Sequence, residues 1–135
     1  MIPAPGDVKA PPPPPSAEEK LAIAGEALLS LRAVDPVALD MRALTMITDY
    51  FLIAHGTSNV HLRALADRVR DRMGERAMRA GGVEGYQESR WILLDYGDLV
   101  VHLFAVEERE FYALERLWSD APELALAPLE EPPDG

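Results

Sequence analysis

The chain has 135 residues, of which 48% are hydrophobic and 27% are charged, and this balance is typical of one globular domain with its own core. It contains no cysteine, which excludes disulfides, zinc–thiolate sites and thiol nucleophiles and favours a reducing compartment. The net charge of -10 argues against tight direct binding to DNA or RNA phosphates and favours a basic protein partner.

The two ends of the chain differ in composition from its middle. Residues 1–15 include seven prolines and predict an extended, disordered arm, either a spacer or a ligand for an aromatic groove. Residues 121–135 carry four acids and no basic residue and predict a disordered acidic tail. The domain is therefore expected within residues 16–120. Since neither a secretory signal nor a membrane-spanning run is present, we expect a soluble cytoplasmic protein.

The first predicted element is a helix that begins where the proline-rich arm ends. Ser16 and Glu19 have the spacing of a capping box, in which each side chain bonds to the other residue's backbone N–H. Four apolar residues then fall on one helical face: Leu21, Ala24, Leu28 and Leu31. The helix should end before Asp35, because a residue that precedes proline avoids the helical conformation.

Two strands and a second helix follow. Alternation predicts a strand over Val37–Met41, and the apolar run within Asp49–Ala54 predicts a strand that is buried on both faces. After a turn at His55–Ser58, five apolar residues have helical spacing: Leu62, Leu65, Ala66, Val69 and Met73. Met78–Ala80 is predicted to be a short strand, so that strand, helix and strand form a βαβ-like unit.

The segment Trp91–Phe104, WILLDYGDLVVHLF, is predicted to be a β-hairpin in the middle of a sheet. Both arms are mostly apolar, and Gly97 in the turn suits a backbone with positive φ. A final helix should begin in the acid-rich stretch Glu107–Glu110. Its apolar stripe comprises Phe111, Leu114, Leu117 and Trp118. These elements predict an α/β fold with a mixed sheet of about five strands flanked by helices.

Gly56, Thr57 and Ser58 lie between a buried strand and the start of a helix. Backbone amides at a helix N-terminus favour an anion, so this GTS turn is a candidate phosphate site. Thr57 and Ser58 are also the residue types that cap a helix. The glycine pattern and the lysine of a P-loop are absent, which favours the capping role.

Four aspartates are candidate ligands of a catalytic metal ion: Asp40, Asp49, Asp95 and Asp98. A metal-dependent nucleotidyltransferase needs two or three carboxylates that converge on one cation pair. Asp95 and Asp98 could approach each other across their turn, but aspartates in turns mostly hydrogen-bond to their own backbone. Such an enzyme, using the GTS turn, Asp95 and Asp98, is the alternative function. We expect no metal, no cofactor and no catalytic residue.

The three histidines do not form a recognisable metal motif. His61 lies one turn into the second helix and is expected on the surface. His102 stands between Val101 and Leu103 on a strand, where a hydrogen-bonded core histidine is more common than a metal ligand. No serine–histidine–acid arrangement stands out. The histidines therefore add no catalytic set.

An aromatic and acidic cluster in the hairpin is the remaining candidate site. Trp91 begins the hairpin, Tyr96 lies at its tip, and Asp95 and Asp98 flank that tyrosine. Trp and Tyr anchor protein interfaces, and neighbouring acids select a basic partner. In the other interpretation Trp91 packs in the core and Tyr96 is an ordinary turn residue. The residues by themselves leave both interpretations open.

Three separated blocks of the sequence resemble the ribosomal silencing factor family, also called RsfS or Iojap-like. They are LDMRALTMITDYFLIAHGTS, VEGYQESRWILLDYGDLVVHLF and REFYALERLW, in that order and with the spacing of the family. The resemblance covers residues 18–119, which is nearly everything between the two ends. The long proline-rich arm departs from the family pattern.

The resemblance implies a fold related to nucleotidyltransferases but without their catalytic carboxylates. It also implies binding to ribosomal protein uL-fourteen of the large subunit, on the face that meets the small subunit. A domain bound there would block an intersubunit bridge and subunit joining and so repress translation, notably when nutrients are scarce. Homodimers are common in the family, so a homodimer is expected here.

Carried over by position, the residues expected to dock on the ribosomal protein come from the hairpin. They are Trp91, Leu94, Asp95, Tyr96, Asp98 and Leu99. The turn Gly56–Ser58 matches the GTS of the family and is interpreted as fold geometry inherited from transferase relatives. A homodimeric scaffold with an unrelated partner is a third hypothesis.

Overall fold

The computed structural model describes residues 13–126. In chain order its elements are α1 (Ala17–Ser30), β1 (Val34–Asp40), β2 (Tyr50–Gly56), α2 (Asn59–Gly74), β3 (Gly82–Glu84), β4 (Trp91–Asp95), β5 (Leu99–Ala105), α3 (Val106–Tyr112), α4 (Leu114–Leu117) and β6 (Glu123–Leu124). None of the helices in this part of the chain is long and apolar enough to cross a membrane. Most of the predicted proline-rich arm and of the predicted acidic tail lies outside the described residues.

The six strands form one mixed sheet in the order β3-β4-β5-β2-β1-β6. β2 and β5 are parallel, and every other neighbouring pair is antiparallel. The connection from β2 through α2 leads to β3 at the far edge of the sheet, and the hairpin β4–β5 fills the two places between them. The α/β class and the interior position of the hairpin are therefore as predicted.

The predicted start of α1 is confirmed. The Glu19 N–H donates to Ser16 Oγ at 3.1 Å, and the Ser16 N–H donates to Glu19 Oε1 at 2.9 Å. The helix ends before Asp35, which instead lies in β1 with a φ of +46°. This residue falls in an irregular part of the β1–β2 pairing, so β1 begins at Val34 and not at Val37.

The predicted strand Met78–Ala80 is wrong. The Met78 N–H donates to the Met73 carbonyl at 3.0 Å, and Ala77 has a φ of +61°, so these residues complete the C-terminal turn of α2. The strand that pairs with β4 covers Gly82–Glu84. The strand therefore exists a few residues later than the sequence pattern placed it.

The predicted boundary at residue 120 is also wrong. Glu123 and Leu124 form β6, which pairs with Leu39 and Ala38 of β1. Leu126 then packs against the helix-side core. This short strand covers the edge of β1, which would otherwise expose unpaired backbone groups. The sheet consequently has six strands, and the domain includes residues 121–126.

α1 and α2 pack on one face of the sheet and bury the larger apolar cluster of the protein. The apolar stripe predicted for α2 is fully buried there. The strands supply the opposing side chains of this cluster: Tyr50, Leu52, Ala54, Ile92, Leu94, Leu99, Val101 and Leu103. A smaller cluster lies on the other face of the sheet, around Leu39, Ile53 and Phe104.

Candidate functional site

The two faces of the sheet are covered unequally. α1 and α2, with 14 and 16 residues, cover one face, whereas the short α3 and α4, with 7 and 4 residues, cover part of the other. Strand alternation and register place one set of side chains on this less covered face: Val37, Leu39, Phe51, Ile53, Trp91, Leu93, Asp95, Val100, His102 and Phe104. We call this surface the open face.

The hairpin does not present the six predicted docking residues as one surface. Trp91 and Asp95 lie on the open face, where Trp91 is half-buried and Asp95 is exposed. Leu94 and Leu99 are fully buried in the helix-side core, and Tyr96 is only 6% exposed in the same core. The expectation of an exposed tyrosine at the tip is therefore wrong.

The geometry of the turn explains the burial of Tyr96. The Gly97 N–H donates to Asp95 Oδ1 at 2.8 Å, and the Tyr96 N–H donates to the Leu99 carbonyl at 2.8 Å. Gly97 has a φ of +83°, as predicted. Strand alternation then directs the side chain after Asp95 toward the helices, where burial raises the pKa of the Tyr96 hydroxyl.

Trp91 and the turn stand at opposite ends of β4. Trp91 pairs with Phe104, and Asp95, next to the turn, pairs with Val100. Trp91 and Asp95 are four residue steps apart along the strand, or roughly 13 Å at about 3.3 Å per residue. Since Tyr96 belongs to the opposite face, the predicted cluster of Trp91 with Tyr96 does not form.

Asp98 is engaged inside the protein. Lys20 of α1 donates from Nζ to Asp98 Oδ1 at 2.7 Å and to the Tyr96 carbonyl at 3.2 Å. The Lys20 side chain is 17% exposed, and that of Asp98 is 35% exposed. This ion pair links the hairpin turn to α1. It also neutralises Asp98, which the sequence analysis predicted to contact a partner.

Aromatic rings hold Trp91 in place on the open face. The Trp91 Nε1–H donates to His102 Nδ1 at 3.2 Å. The centroid of the Trp91 ring lies 5.0 Å from that of Phe104 and 4.6 Å from that of Tyr112 on α3. Such tilted pairs stabilise a fixed arrangement of rings. Trp91 is therefore a rigid, partly exposed side chain.

His102 is a core histidine, as predicted from its position on the strand. Because its Nδ1 accepts from Trp91, the neutral ring carries its proton on Nε2. Nε2 is buried and has no hydrogen-bond partner among residues 13–126, and the Phe51 ring packs edge-on at 4.6 Å. Burial lowers the pKa of His102 to about 4, so the ring is neutral at pH 7.

Exposed residues of α3 and α4 were missed by the sequence prediction. Phe111, Tyr112 and Leu117 are 79%, 44% and 68% exposed, although the predicted stripe placed Phe111 and Leu117 in the core. The stripe fails because Ala113, with a φ of +44°, divides the helix in two. Of that stripe only Leu114 is buried. The sequence signal that could have indicated an exposed aromatic surface is the pair Phe111 and Tyr112, which directly follows the acid-rich stretch Glu107–Glu110.

The GTS turn caps α2. Ser58 Oγ accepts from the His61 N–H at 3.0 Å, and the Thr57 N–H donates to His61 Nδ1 at 2.9 Å. His61 Nε2 lies 2.8 Å from the Leu31 carbonyl, so this histidine is half-buried and not on the surface as expected. The capping role favoured by the sequence is confirmed.

Three of the four aspartates considered as metal ligands, Asp40, Asp95 and Asp98, have side-chain hydrogen bonds within the protein. Across residues 13–126 no three His, Cys, Asp or Glu side chains are grouped closely enough to hold a metal ion. The Arg42 side chain donates twice to Asp40, at 2.9 and 2.7 Å, and the Arg42 N–H donates once, at 3.0 Å; these bonds lower the pKa of the Asp40 carboxyl. Asp95 bonds within its own turn and Asp98 binds Lys20.

Comparison with known proteins identifies relatives along most of the chain. The family model described as "Ribosomal silencing factor during starvation" matches residues 14–135. The ribosomal silencing factor RsfS of Bacillus subtilis is 45% identical over 102 residues, covering 76% of this chain and 86% of that protein. RsfS of Halalkalibacterium halodurans is 40% identical over 111 residues, covering 82% and 95%.

Two crystal structures of similar proteins have the same fold. A protein from Bacillus halodurans has a TM-score of 0.72 at 38% identity, covering 81% of this chain and 99% of its own. A protein from Chromobacterium violaceum has a TM-score of 0.75 at 32% identity, covering 85% of this chain and 97% of its own. The sheet and its flanking helices therefore belong to a shared fold.

Proposed function

Because the chain belongs to the ribosomal silencing factor family, we propose that it binds the large ribosomal subunit in the cytoplasm and represses translation by preventing subunit joining. The partner is ribosomal protein uL-fourteen, on the face of the large subunit that meets the small subunit. The family match over residues 14–135 carries this proposal. The mechanism is steric, since a domain bound there occupies the space of an intersubunit bridge.

The open face around Trp91 is the docking surface in this proposal. Trp91 and Leu93 are partly exposed there, and Tyr112 and Phe111 of α3 continue the apolar surface. Rigid aromatic side chains are frequent interface anchors, because they bury a large area and lose little conformational entropy. Trp91 also needs no rearrangement, since His102 already holds its indole.

The six hairpin residues have two different roles in this proposal. Trp91 and Asp95 contact the partner from the open face. The other four support the hairpin from behind, through the core or through the ion pair with α1: Leu94, Tyr96, Asp98 and Leu99. Substitution of these four residues should therefore lower the free energy of unfolding of the domain more than it lowers the affinity for the partner.

Acids around the open face favour a basic partner. Asp95 is exposed at one end of β4, and Glu107 and Glu110 are exposed on α3. Arg90 neutralises Glu108 by an ion pair of 2.7 Å. Complementary charge accelerates encounter and rejects acidic partners. A basic ribosomal protein satisfies this requirement.

Co-sedimentation with purified large subunits of Bacillus subtilis tests the proposal. Wild-type protein should sediment with the subunits and reduce the joined-ribosome peak in a sucrose gradient. Trp91→Ala and Phe111→Ala should each weaken binding at least about tenfold, as loss of an interface anchor does. Phe111 is 79% exposed, so its variant keeps the fold. The matched control is Val60→Ala, which removes a 71% exposed apolar side chain from the start of α2.

Different outcomes of these experiments test the proposed function, the docking surface and the oligomeric state separately. Wild-type protein that binds neither the large subunit nor isolated uL-fourteen contradicts the function. Unchanged binding by both the Trp91 and the Phe111 variants removes the open face from the interface. A homodimer is part of the proposal, and sedimentation equilibrium should give twice the mass of one chain.

A further inference from the structure

Basic residues are concentrated in one segment of this acidic chain. Residues 63–79 carry six arginines and three acids, whereas the whole chain has 13 basic and 23 acidic residues. This segment comprises most of α2 and the turn that follows it. A protein with a net charge of -10 thus carries a local net charge of +3 in this one segment.

Three of the six arginines are turned toward the protein. Their bonds are those of Arg63 with Ser89 Oγ at 2.6 Å, Arg68 with Ser30 Oγ at 2.8 Å and Arg72 with Glu26 Oε1 at 3.1 Å. The other three, Arg70, Arg76 and Arg79, are exposed. Their side chains form no hydrogen bond and no ion pair with any residue in the described part of the chain. Their guanidinium groups are therefore available to a ligand outside the domain.

Two of the unpaired arginines lie on the helix side of the sheet, next to its β3 edge. Arg70 and Arg79 line a cavity of about 730 Å³ between the end of α2 and β3. β3 pairs with β4, whose Asp95 stands on the open face. Asp67 and Asp71 also line the cavity.

We propose that Arg70, Arg76 and Arg79 contact the phosphate backbone of ribosomal RNA when the open face is docked on the large subunit. This inference rests on the proposed function and adds an RNA contact to its protein contact. A chain of net charge -10 is repelled by a polyanion at long range, so the surface that approaches RNA must be locally basic. Arginine suits this task, because its planar fork binds phosphate oxygens in pairs.

Phosphate contacts leave a signature that an acidic protein partner does not share. Each contact releases condensed counterions, so the logarithm of the binding constant falls with the logarithm of salt concentration by about 0.7–0.9 per contact. Three contacts should therefore contribute about two units of slope. Contacts of this kind fix position and orientation and carry no base specificity.

The test measures binding of the full chain to purified Bacillus subtilis large subunits between about 50 and 200 mM salt. The triple variant Arg70→Gln, Arg76→Gln and Arg79→Gln should bind at least about tenfold more weakly and lose about two units of salt slope. Its affinity for isolated uL-fourteen should stay within about twofold of wild type. The corresponding lysine triple variant should keep most of the salt slope.

Arg32→Gln with Arg116→Gln is the positional control, since both arginines are exposed elsewhere on the domain. An unchanged salt slope in the glutamine triple variant overturns the RNA contact while the proposed function stands. Equal loss of affinity for isolated uL-fourteen also overturns it, because the arginines then bind protein. Wild-type protein that binds neither target overturns the proposed function and this inference together.

Discussion

Neutral His102 should make the stability of the domain depend on pH well above the range in which carboxylates titrate. The ring is 5% exposed and packs among Phe51, Trp91 and Phe104. Protonation would place a charge in this apolar setting. It would also turn Nδ1 from the acceptor of the Trp91 N–H into a donor that faces another donor.

The sign and magnitude follow from the two pKa values of His102. Burial lowers the folded pKa to about 4 from the ordinary value of 6.5. Between these values the unfolded chain binds a proton that the folded protein does not, so stability falls as pH falls from 6.5 toward 4. The loss between pH 7.5 and 5.5 is about 1.4 kcal/mol, and the full loss near pH 4 is about 3 kcal/mol.

Urea unfolding at pH 7.5 and 5.5 measures this loss. His102→Asn removes the titration but keeps an acceptor near Trp91, so the free energy of unfolding should become nearly independent of pH in this range. A smaller dependence should remain from His55, whose pKa is lowered by burial and by Arg109. A His102→Asn variant with the full wild-type slope would refute the reasoning, as would a wild-type protein with no slope.

Two further predictions test the backbone conformation at Gly85, before β4, and the register of β4 within the hairpin. Gly85 has a φ of +78°, and a Cβ there would clash with the Trp91 carbonyl, so Gly85→Ala should lower the free energy of unfolding by at least about 2 kcal/mol. Gly82→Ala meets nothing within 4 Å and should change it by less than about 1 kcal/mol. Leu94→Ala should cost about 2–5 kcal/mol in urea unfolding and Leu93→Ala much less, because only Leu94 is fully buried. Equal costs would contradict the assigned register.

Features set by neighbouring residues could be predicted from the sequence. The capping box at Ser16, the buried stripe of α2, the cap at Ser58 and the positive φ of Gly97 all appear as expected. Each depends on backbone sterics and hydrogen bonds within a few residues. The family resemblance likewise rests on local blocks of sequence, and the comparison with relatives confirms it.

The candidate site was predictable only in part. Trp91 and Asp95 were expected at an interface and lie on the open face, but Tyr96 is buried. Phe111 was expected in the core and is exposed. The sequence could not resolve the hairpin residues, because its arms are apolar at nearly every position and show no alternation. It could not resolve Phe111, because the apolar stripe of the last helix assumed one continuous helix, which Ala113 divides.

Tertiary structure decided which face of the hairpin is covered. Two long helices pack against Leu94 and Leu99, whereas the break at Ala113 leaves only short helices to cover Trp91. The strand β6 and the ion pair of Lys20 with Asp98 both depend on contacts between distant parts of the chain. Sequence periodicity indicates which residues are buried, but only tertiary packing determines which helix or strand covers each of them.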